Sequence, residues 1–302
     1  MINRVVASLL LLMAVAACRP TSVPTSAPSP TSVQLVDDAG PTTTIRVGSW
    51  NIRRLGHAKT DLAAVASVLA TFDIVAIQEV MTREVVEELE ARLPDHRILL
   101  TDTPRPATGS YREYYGFVYR QAAFDPVMNT FYPDPDDAFV RDPFIACFDG
   151  GAVVGRLCLL TVHIVWGDRV AERKAEILQI DDALRWGQRA ELKAQWIVLG
   201  DFNRPFDDGD RDDEPEEEWA ELVAPGEPDA SMIFVGPEMP TTIGASGYAN
   251  AYDHCFVSGQ LRKHVRTARR FDLVAEVCDG SFQRCRASVS DHAPYFVELS
   301  FP

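Results

Sequence analysis

Five short apolar runs in this chain each adjoin a polar island, and that pattern limits what the chain can build. Ile74-Val75-Ala76-Ile77 runs into Gln78-Glu79, Leu159-Leu160-Thr161-Val162 into His163, and Trp196-Ile197-Val198-Leu199 into Gly200-Asp201-Phe202-Asn203. Ile45 to Ser49 leads into Trp50-Asn51-Ile52, and Ser290-Asp291-His292 precedes the run Tyr295 to Leu299. A strand that crosses a core and stops at Asn, Glu, His or Asp delivers that side chain to the sheet edge. Several such strands ending together make a pocket of carboxylates, amides and imidazoles. Oxygen-rich donors of this kind suit a hard divalent cation and phosphate chemistry.

The remaining periodicities fill in the architecture. Leu62, Val65 and Leu69 recur at helical spacing behind Thr60-Asp61, a sequence that can cap a helix; Val86, Leu89 and Leu93 mark a second helix, and Ile177, Ile180 and Leu184 a third. Strands are expected over Arg97–Leu100, Gly116–Arg120, Phe144–Phe148, Leu157–Val162 and Asp253–Val257. Strands outnumber helices and the two types mix along the chain, so two packed sheets with helices outside fit better than a doubly wound parallel sheet. A short echo between Ser49-Trp50-Asn51-Ile52 and Gly200-Asp201-Phe202-Asn203 is consistent with a duplicated half.

The N-terminus reads as a targeting segment. Residues 1–17 combine Arg4 with an apolar stretch from Val5 to Ala17, and Val15-Ala16-Ala17-Cys18 resembles a bacterial lipobox with Cys18 as the lipidated residue. The competing reading is an ordinary secretory signal. Arg19 in place of Asp implies release to the outer membrane, so the expected location is the cell envelope. Residues 18–43 hold a Pro/Ser/Thr tract that reads as a tether, and 44–302 as one catalytic domain. An exported chain makes disulfides reasonable. Cys278 and Cys285 flank a turn-rich stretch and are expected to bridge; Cys147 and Cys158 lie where a hairpin could set them opposite each other; Cys255 reads as a buried thiol.

Of 302 residues, 46% are hydrophobic, enough for a substantial core, and the net charge is -15. Such a surface weighs against a passive DNA-binding module, since it repels polyanions unless cations or well-placed arginines intervene. The acidic run Asp207 to Glu218 reads as a solvated loop, and its spacing fails the EF-hand pattern. No Gly-x-Ser-x-Gly elbow supports a serine hydrolase, and no Cys-x-x-Cys pair supports a zinc or redox site.

Within the polar islands, Glu79 is the first choice for a magnesium ligand, with Asp201 and Asp291 nearby and Asn51 and Asn203 offering amides. His163 and His292 are the candidate acid and base, with Glu113 and Asp253 as carboxylate partners that would orient them. His57, His96, His254 and His264 lack the strand-end placement and read as structural or surface residues.

No single island is specific, but their order is. Asn, Gln-Glu, His, Asp-x-Asn, Asp and Ser-Asp-His follow one another as in the endonuclease/exonuclease/phosphatase superfamily, which the chain resembles over residues 45–301. Tyr111-Arg112-Glu113-Tyr114-Tyr115-Gly116-Phe117, Phe139-Val140-Arg141-Asp142-Pro143 and Ala251-Tyr252-Asp253 are similar to runs of its deoxyribonuclease I branch. The resemblance implies an α+β four-layer sandwich of two mixed sheets flanked by helices. It implies Mg²⁺ or Mn²⁺ on Glu79, with Asn51, Asp201, Asn203 and Asp291 in support. The acid/base pairs would be His163–Glu113 and His292–Asp253, with His292 favoured as base and the assignment reversible. Arg141 would clamp a phosphate and Tyr111 would stack in a minor groove.

Two departures from the branch qualify this. Met81 stands where those nucleases carry a groove-reading Arg, and Met239-Pro240 replace one calcium-loop Asp; Asp134, Asp137 and Asp142 retain part of another structural Ca²⁺ loop. The leading expectation is a monomeric, lipid-anchored phosphodiesterase that cuts DNA. The alternatives are the same chemistry on a small or lipid phosphoester, and a non-catalytic surface module that keeps the fold.

Overall fold

The buried runs find cover on both faces because two sheets stack on each other and helices close the outside. The computed structural model describes residues 42–57, 59–106, 110–207, 217–223 and 231–302. Its strands are β1 Thr43–Leu55, β2 Ile74–Val80, β3 His96–Leu100, β4 Arg105–Pro106, β5 Arg112–Arg120, β6 Asp125–Phe131, β7 Phe144–Asp149, β8 Arg156–His163, β9 Gln195–Asp201, β10 Met232–Phe234, β11 Asp253–Ser258, β12 Val265–Arg270 and β13 Tyr295–Phe301. One sheet runs β12-β13-β1-β2-β5-β3 with β4 beside β5; the other runs β10-β11-β9-β8-β7-β6. The β1–β2 and β8–β9 pairs are parallel and their neighbours antiparallel, so both sheets are mixed. All described residues belong to one compact unit, Ala39–Pro302.

The helices are α1 Leu62–Leu69, α2 Glu84–Glu90, α3 Gly151–Val154, α4 Val170–Leu178, α5 Ile180–Ala190, α6 Ala220–Val223, α7 Gly259–Arg262, α8 Leu273–Val277 and α9 Phe282–Ser288. Asp61 caps α1 by accepting from the amides of Ala63 and Ala64. Side chains of α1, α2, α8 and α9 join Trp50, Val75 and Ile77 in a core on the outer face of the first sheet. Ile177, Ile180 and Leu184 join Cys158, Leu160, Trp196 and Val198 on the outer face of the second. Between the sheets lie Val47, Ala76, Phe117, Phe144, Phe148, Leu159, Leu199 and Val257. Strand residues thus alternate between an inter-sheet core and a helix-covered core, which is why the runs are apolar at every position.

Several expectations are corrected. The helix expected around Ile177–Leu184 is two helices divided at Gln179. Its apolar spacing continues across the break because both pieces bury the same side against one sheet. Strands β6, β10 and β12 carried no strand signal: β6 and β12 are largely exposed, without the alternation that burial imposes, and all three are defined by main-chain pairing to a neighbour. Strand β1 continues past Ser49 to Leu55 with an irregular register after Asn51, where Arg53 and Arg54 have φ of 34° and 50°.

The supposed echo joined β1 to β9, but the topology equates β1-α1-β2 with β8-α4-α5-β9, so β9 corresponds to β2. Cys147 and Cys158 are cross-strand partners and form a disulfide, as do Cys278 and Cys285, while Cys255 is a buried free thiol. The signal segment, Cys18, most of the tether and residues 208–216 of the acidic run lie outside the described residues.

Phe117 sits fully buried between the sheets, with its ring centroid 5.6 Å from that of Phe144 and 6.0 Å from that of Phe148. Phe117→Ala is expected to lower unfolding free energy by about 3–5 kcal/mol through cavity formation. Urea unfolding with an unchanged m-value would show it, and a loss under about 1 kcal/mol would contradict this account of the core.

Candidate active site

On the inner face of both sheets, side chains change from apolar to polar to charged as the strands approach one edge. Every second residue shows this: Val47, Ser49, Asn51 in β1; Ala76, Gln78 in β2; Phe117, Tyr115, Glu113 in β5; Leu159, Thr161, His163 in β8; Leu199, Asp201 in β9; Val257, Cys255, Asp253 in β11. The parallel strands end at this edge and their antiparallel neighbours begin there. Asp201 is therefore in register with His163 on one side and Asp253 on the other. Glu79 has the wrong parity for this face, and its φ of 60° is the backbone departure that accompanies its turn into the pocket.

Beneath the charged groups lies a polar layer that ties the sheets together. The Gln78 amide, fully buried, donates to Ser49 Oγ at 3.0 Å in its own sheet and to Thr161 Oγ1 at 2.9 Å in the other. The His163 amide donates across to Tyr115 Oη at 3.0 Å. Ser290 Oγ donates to the Asn51 carbonyl at 2.7 Å and accepts from the His292 amide at 3.0 Å, and Trp50 Nε1 donates to the His292 carbonyl at 2.8 Å. The spacing gives one signal for these supports: Ser49, Gln78 and Thr161 sit beside or two residues from Asn51, Glu79 and His163.

Above this layer, two imidazoles face one carboxylate. His163 Nδ1 is 2.7 Å from Glu113 Oε1 and its Nε2 is 3.8 Å from Asp201 Oδ2. His292 Nδ1 is 2.8 Å from Asp253 Oδ2 and its Nε2 is 3.6 Å from the same Asp201 oxygen. Carboxylates at Nδ1 fix the proton there and leave Nε2 to face the pocket. Burial drives the His292 imidazole down, but Asp253 and Asp201 outweigh it and the group is pushed up to about 10. His163 is also held above its ordinary value: burial and Arg141 lower it, while Glu113 and Asp201 more than offset them. Burial raises the Glu113 carboxyl, yet His163 and Arg141 hold it below the usual carboxylate range. Glu113 Oε2 and Asp253 Oδ1 are buried without a hydrogen-bond partner, which is the kind of polar group that marks a working site.

The Asn51 side-chain nitrogen donates to Glu79 Oε1 at 3.1 Å and Asp201 Oδ2 at 3.0 Å, and its oxygen accepts from the Arg53 amide at 3.0 Å. In this arrangement Asn51 brackets the two carboxylates through its NH₂, while its oxygen is held by the Arg53 amide. Asn203 takes a φ of 49°; its amide donates to Asp201 Oδ1 at 2.9 Å and its side chain to the Ile164 carbonyl at 2.8 Å. Asp291 is at the rim, 3.5 Å from Arg53. A cavity of about 580 Å³ joins Asn51, Glu79, His163, Asp201, Asn203 and His292, so the dispersed islands do converge.

Three further groups of expected residues take the following places. Arg141 is 5% exposed, and its Nε and Nη2 donate to the carbonyls of His163 and Ile164, both at 2.7 Å. It braces the end of β8 beside Glu113 and borders a hollow of about 170 Å³ together with Glu79 and His163. The buried Tyr111 hydroxyl faces inward: burial first, then Glu113 and Glu79, keep it protonated, and Arg54 covers one face of its ring at 5.6 Å. The Asp134 carboxylate closes its own loop by accepting from the amides of Ala138 and Phe139, and Asp142 pairs with Arg105 at 3.2 Å. Among the described residues, Asp201, Asp253 and His292 present ligand atoms within 4.8 Å of one another, and the Asp142 carboxyl is raised by burial first and then by the nearby charges of Asp134 and Asp137.

Residues 48–292 match the endonuclease/exonuclease/phosphatase family. The chain belongs to that family. A deoxyribonuclease of Thioalkalivibrio sp. (strain K90mix) is 35% identical over 272 residues, covering 84% of this chain and 70% of its own. Human deoxyribonuclease-1-like 2 is 26% identical over 302 residues, covering 87% and 95%. An endonuclease/exonuclease/phosphatase structure from Bacteroides vulgatus superposes with a TM-score of 0.62 at 18% identity, covering 86% of this chain and all of that one. The fold is accordingly the family's α/β sandwich, and the chain is a metal-dependent hydrolase of phosphoester bonds.

Gly200 lets the sheet carry these groups so close together. It pairs with Val162 in the register that sets His163 opposite Asp201, and a Cβ there would collide with the Val162 carbonyl. Gly200→Ala is expected to part β8 from β9, cost about 1–3 kcal/mol of stability by overpacking, and reduce kcat/KM at least 10-fold. Thermal melts and turnover measured together check this; wild-type activity would show that the close approach of the strands is dispensable.

Proposed function

We propose that this protein is an exported, lipid-anchored endonuclease that hydrolyses DNA with Mg²⁺ and a two-histidine acid/base pair, leaving 5′-phosphate ends. The observation that carries the reading is the approach of two carboxylate-oriented imidazoles to the same Asp201 oxygen, at 3.6 and 3.8 Å. One imidazole suits a water on one side of a phosphodiester and the other suits the departing oxygen opposite. The deoxyribonuclease relatives at 35% and 26% identity favour DNA as the ester.

The residues fit a hard cation. Glu79 Oε1 and Asp201 Oδ2 already converge on one amide nitrogen, at 3.1 and 3.0 Å, and neither is committed to a histidine at hydrogen-bond distance. Glu79 and Asp201 would hold Mg²⁺ or Mn²⁺, with Asp291 at the rim and most of the coordination left to water. Although Asp253 and His292 lie within 4.8 Å of Asp201, they are engaged with each other at 2.8 Å. A bound cation supplies charge neutralisation at the phosphoryl oxygens and offsets the carboxylates that raise both imidazoles.

The protein's own groups do the rest. His292, oriented by Asp253, takes the proton of the attacking water, and His163, oriented by Glu113, gives one to the 3′ oxygen; the geometry admits the reverse assignment equally. Asn203 holds Asp201 at the bottom of the pocket, and Arg53, Arg54 and Arg286 line its wall for the phosphates of the chain. A filled site speaks against a non-catalytic surface module. Export is supported by the lipobox-like Val15-Ala16-Ala17-Cys18 and by two disulfides, which persist in oxidising compartments.

Purified protein with Mg²⁺ is expected to relax supercoiled plasmid and to stop on addition of EDTA. His163→Ala and His292→Ala should each cut turnover by about 10²–10⁴-fold, the usual worth of a positioned acid or base, with unchanged circular dichroism. No nicking, with phosphate released from a small ester instead, would move the assignment to a phosphatase acting on small phosphoesters. Undiminished turnover in both variants would discard the acid/base pair. Cys18→Ser should shift the protein from the membrane fraction to the soluble one; retention in the membrane fraction would remove the lipid anchor.

A further inference from the structure

Trp166 stands at the mouth of the pocket with 61% of its surface exposed, whereas Trp50, Trp196 and Trp219 are at most 2% exposed. It lies three residues beyond His163 on backbone that is unusually well anchored. The Ile164 amide donates to the Asp201 carbonyl at 2.9 Å, the Ile164 carbonyl accepts from Arg141 and Asn203, and the Val165 amide donates to the buried Glu176 carboxylate at 2.9 Å. Arg173 approaches the ring at 5.8 Å and donates to the Gly167 carbonyl at 2.6 Å, which fixes the next residue. On the other side, the Tyr252 ring lies 6.2 Å away at 56°, and Tyr252 immediately precedes Asp253. Both rings line the cavity that holds the two imidazoles. Trp166 also borders a second hollow of about 170 Å³ with Arg54, Tyr111 and Val165.

An aromatic ring that stands in solvent on anchored backbone contributes little to a core, and tryptophan is enriched where a surface receives a partner. The centroids are too close and too tilted for a flat ring to slide between Trp166 and Tyr252, so the open face of Trp166 is the platform. In a duplex the faces of bases are sealed by their neighbours and only edges reach a groove. Unless it wedges between base steps, a protein ring meets a full base face only where that base has left the helix.

We propose that Trp166, backed by Tyr252, is a nucleobase-stacking platform that selects DNA with an unpaired base next to the scissile phosphate: a single strand, a frayed end or a mismatch. Phosphates enter between the two imidazoles, lined by Arg53, Arg54 and Arg286, and the neighbouring base rests on the tryptophan. In a chain of net charge -15, stacking is also an affinity source that the overall electrostatics do not oppose.

This inference rests on the nuclease reading, and its test separates the two. Cleavage and binding are measured on a single-stranded oligonucleotide and on the same strand carrying base-less tetrahydrofuran residues around the cut. Binding is read by fluorescence anisotropy in the silenced His292→Ala protein. Trp166→Ala should weaken kcat/KM and affinity on the base-bearing strand by about 5- to 100-fold, the range one base stacked on an aromatic ring supplies, and leave the base-less strand unchanged. Trp166→Phe should recover part of the loss.

Equal losses on both strands would reduce Trp166 to a structural residue and overturn the proposal, as would no loss on either. A wild-type protein that cuts neither strand and does not relax plasmid, yet whose silenced form binds the base-bearing strand through Trp166, would sink the nuclease reading and keep the platform.

Discussion

Two sheets that share one inner face impose a single rule on this protein: along every central strand, each second side chain points at the opposite sheet. Apolar residues obeying that rule make the core. Where the same positions turn polar, first Ser49, Gln78, Tyr115 and Thr161, then Asn51, Glu113, His163, Asp201 and Asp253, the core becomes the floor and wall of a pocket. The candidate active site is the last layer of the inter-sheet packing, and it inherits the rigidity of the layers beneath it.

That inheritance explains how charges can be gathered so densely. Asp201 faces two imidazoles, a bracketing amide and another carboxylate with almost no exposure to water. Such a cluster is expensive to assemble unless each member is held by neighbours that cannot relax away. The holding groups are backbone and core atoms: Gln78 bridging the sheets, Tyr115 under the His163 amide, Ser290 on the Asn51 carbonyl, Arg141 across the end of β8. The strained φ values at Glu79 and Asn203 belong to the same picture, since both residues depart from extended backbone where their side chains meet this cluster.

Much of this could be read from the residues alone. The strand-end residues Glu79, His163 and Asp201 were recognisable because a buried apolar run that stops abruptly at a charged side chain marks a strand leaving the core for a sheet edge. The carboxylate partners Glu113 and Asp253 followed from the order of the motifs. The roles of Arg141 and Tyr111 were not readable in that way. A motif names a residue type at a position, whereas the direction of a guanidinium or a phenol depends on which carbonyls and carboxylates fold around it. The edge strands β6, β10 and β12 and the break at Gln179 escaped for a related reason, since neither exposed pairing nor a helix division disturbs the apolar spacing.

The sequence by itself determined the layered class of fold and the identity of the groups at the strand ends, because burial on both faces and abrupt polarity leave a one-dimensional trace. Only the tertiary structure decided how those groups share a site. The meeting of two imidazoles at Asp201, the turning of Asn51 to offer its nitrogen, and the exposure of Trp166 are set by contacts between residues distant in the chain. Distances of that kind are fixed by sheet register and by the stacking of two sheets, and neither is written in the spacing along one strand.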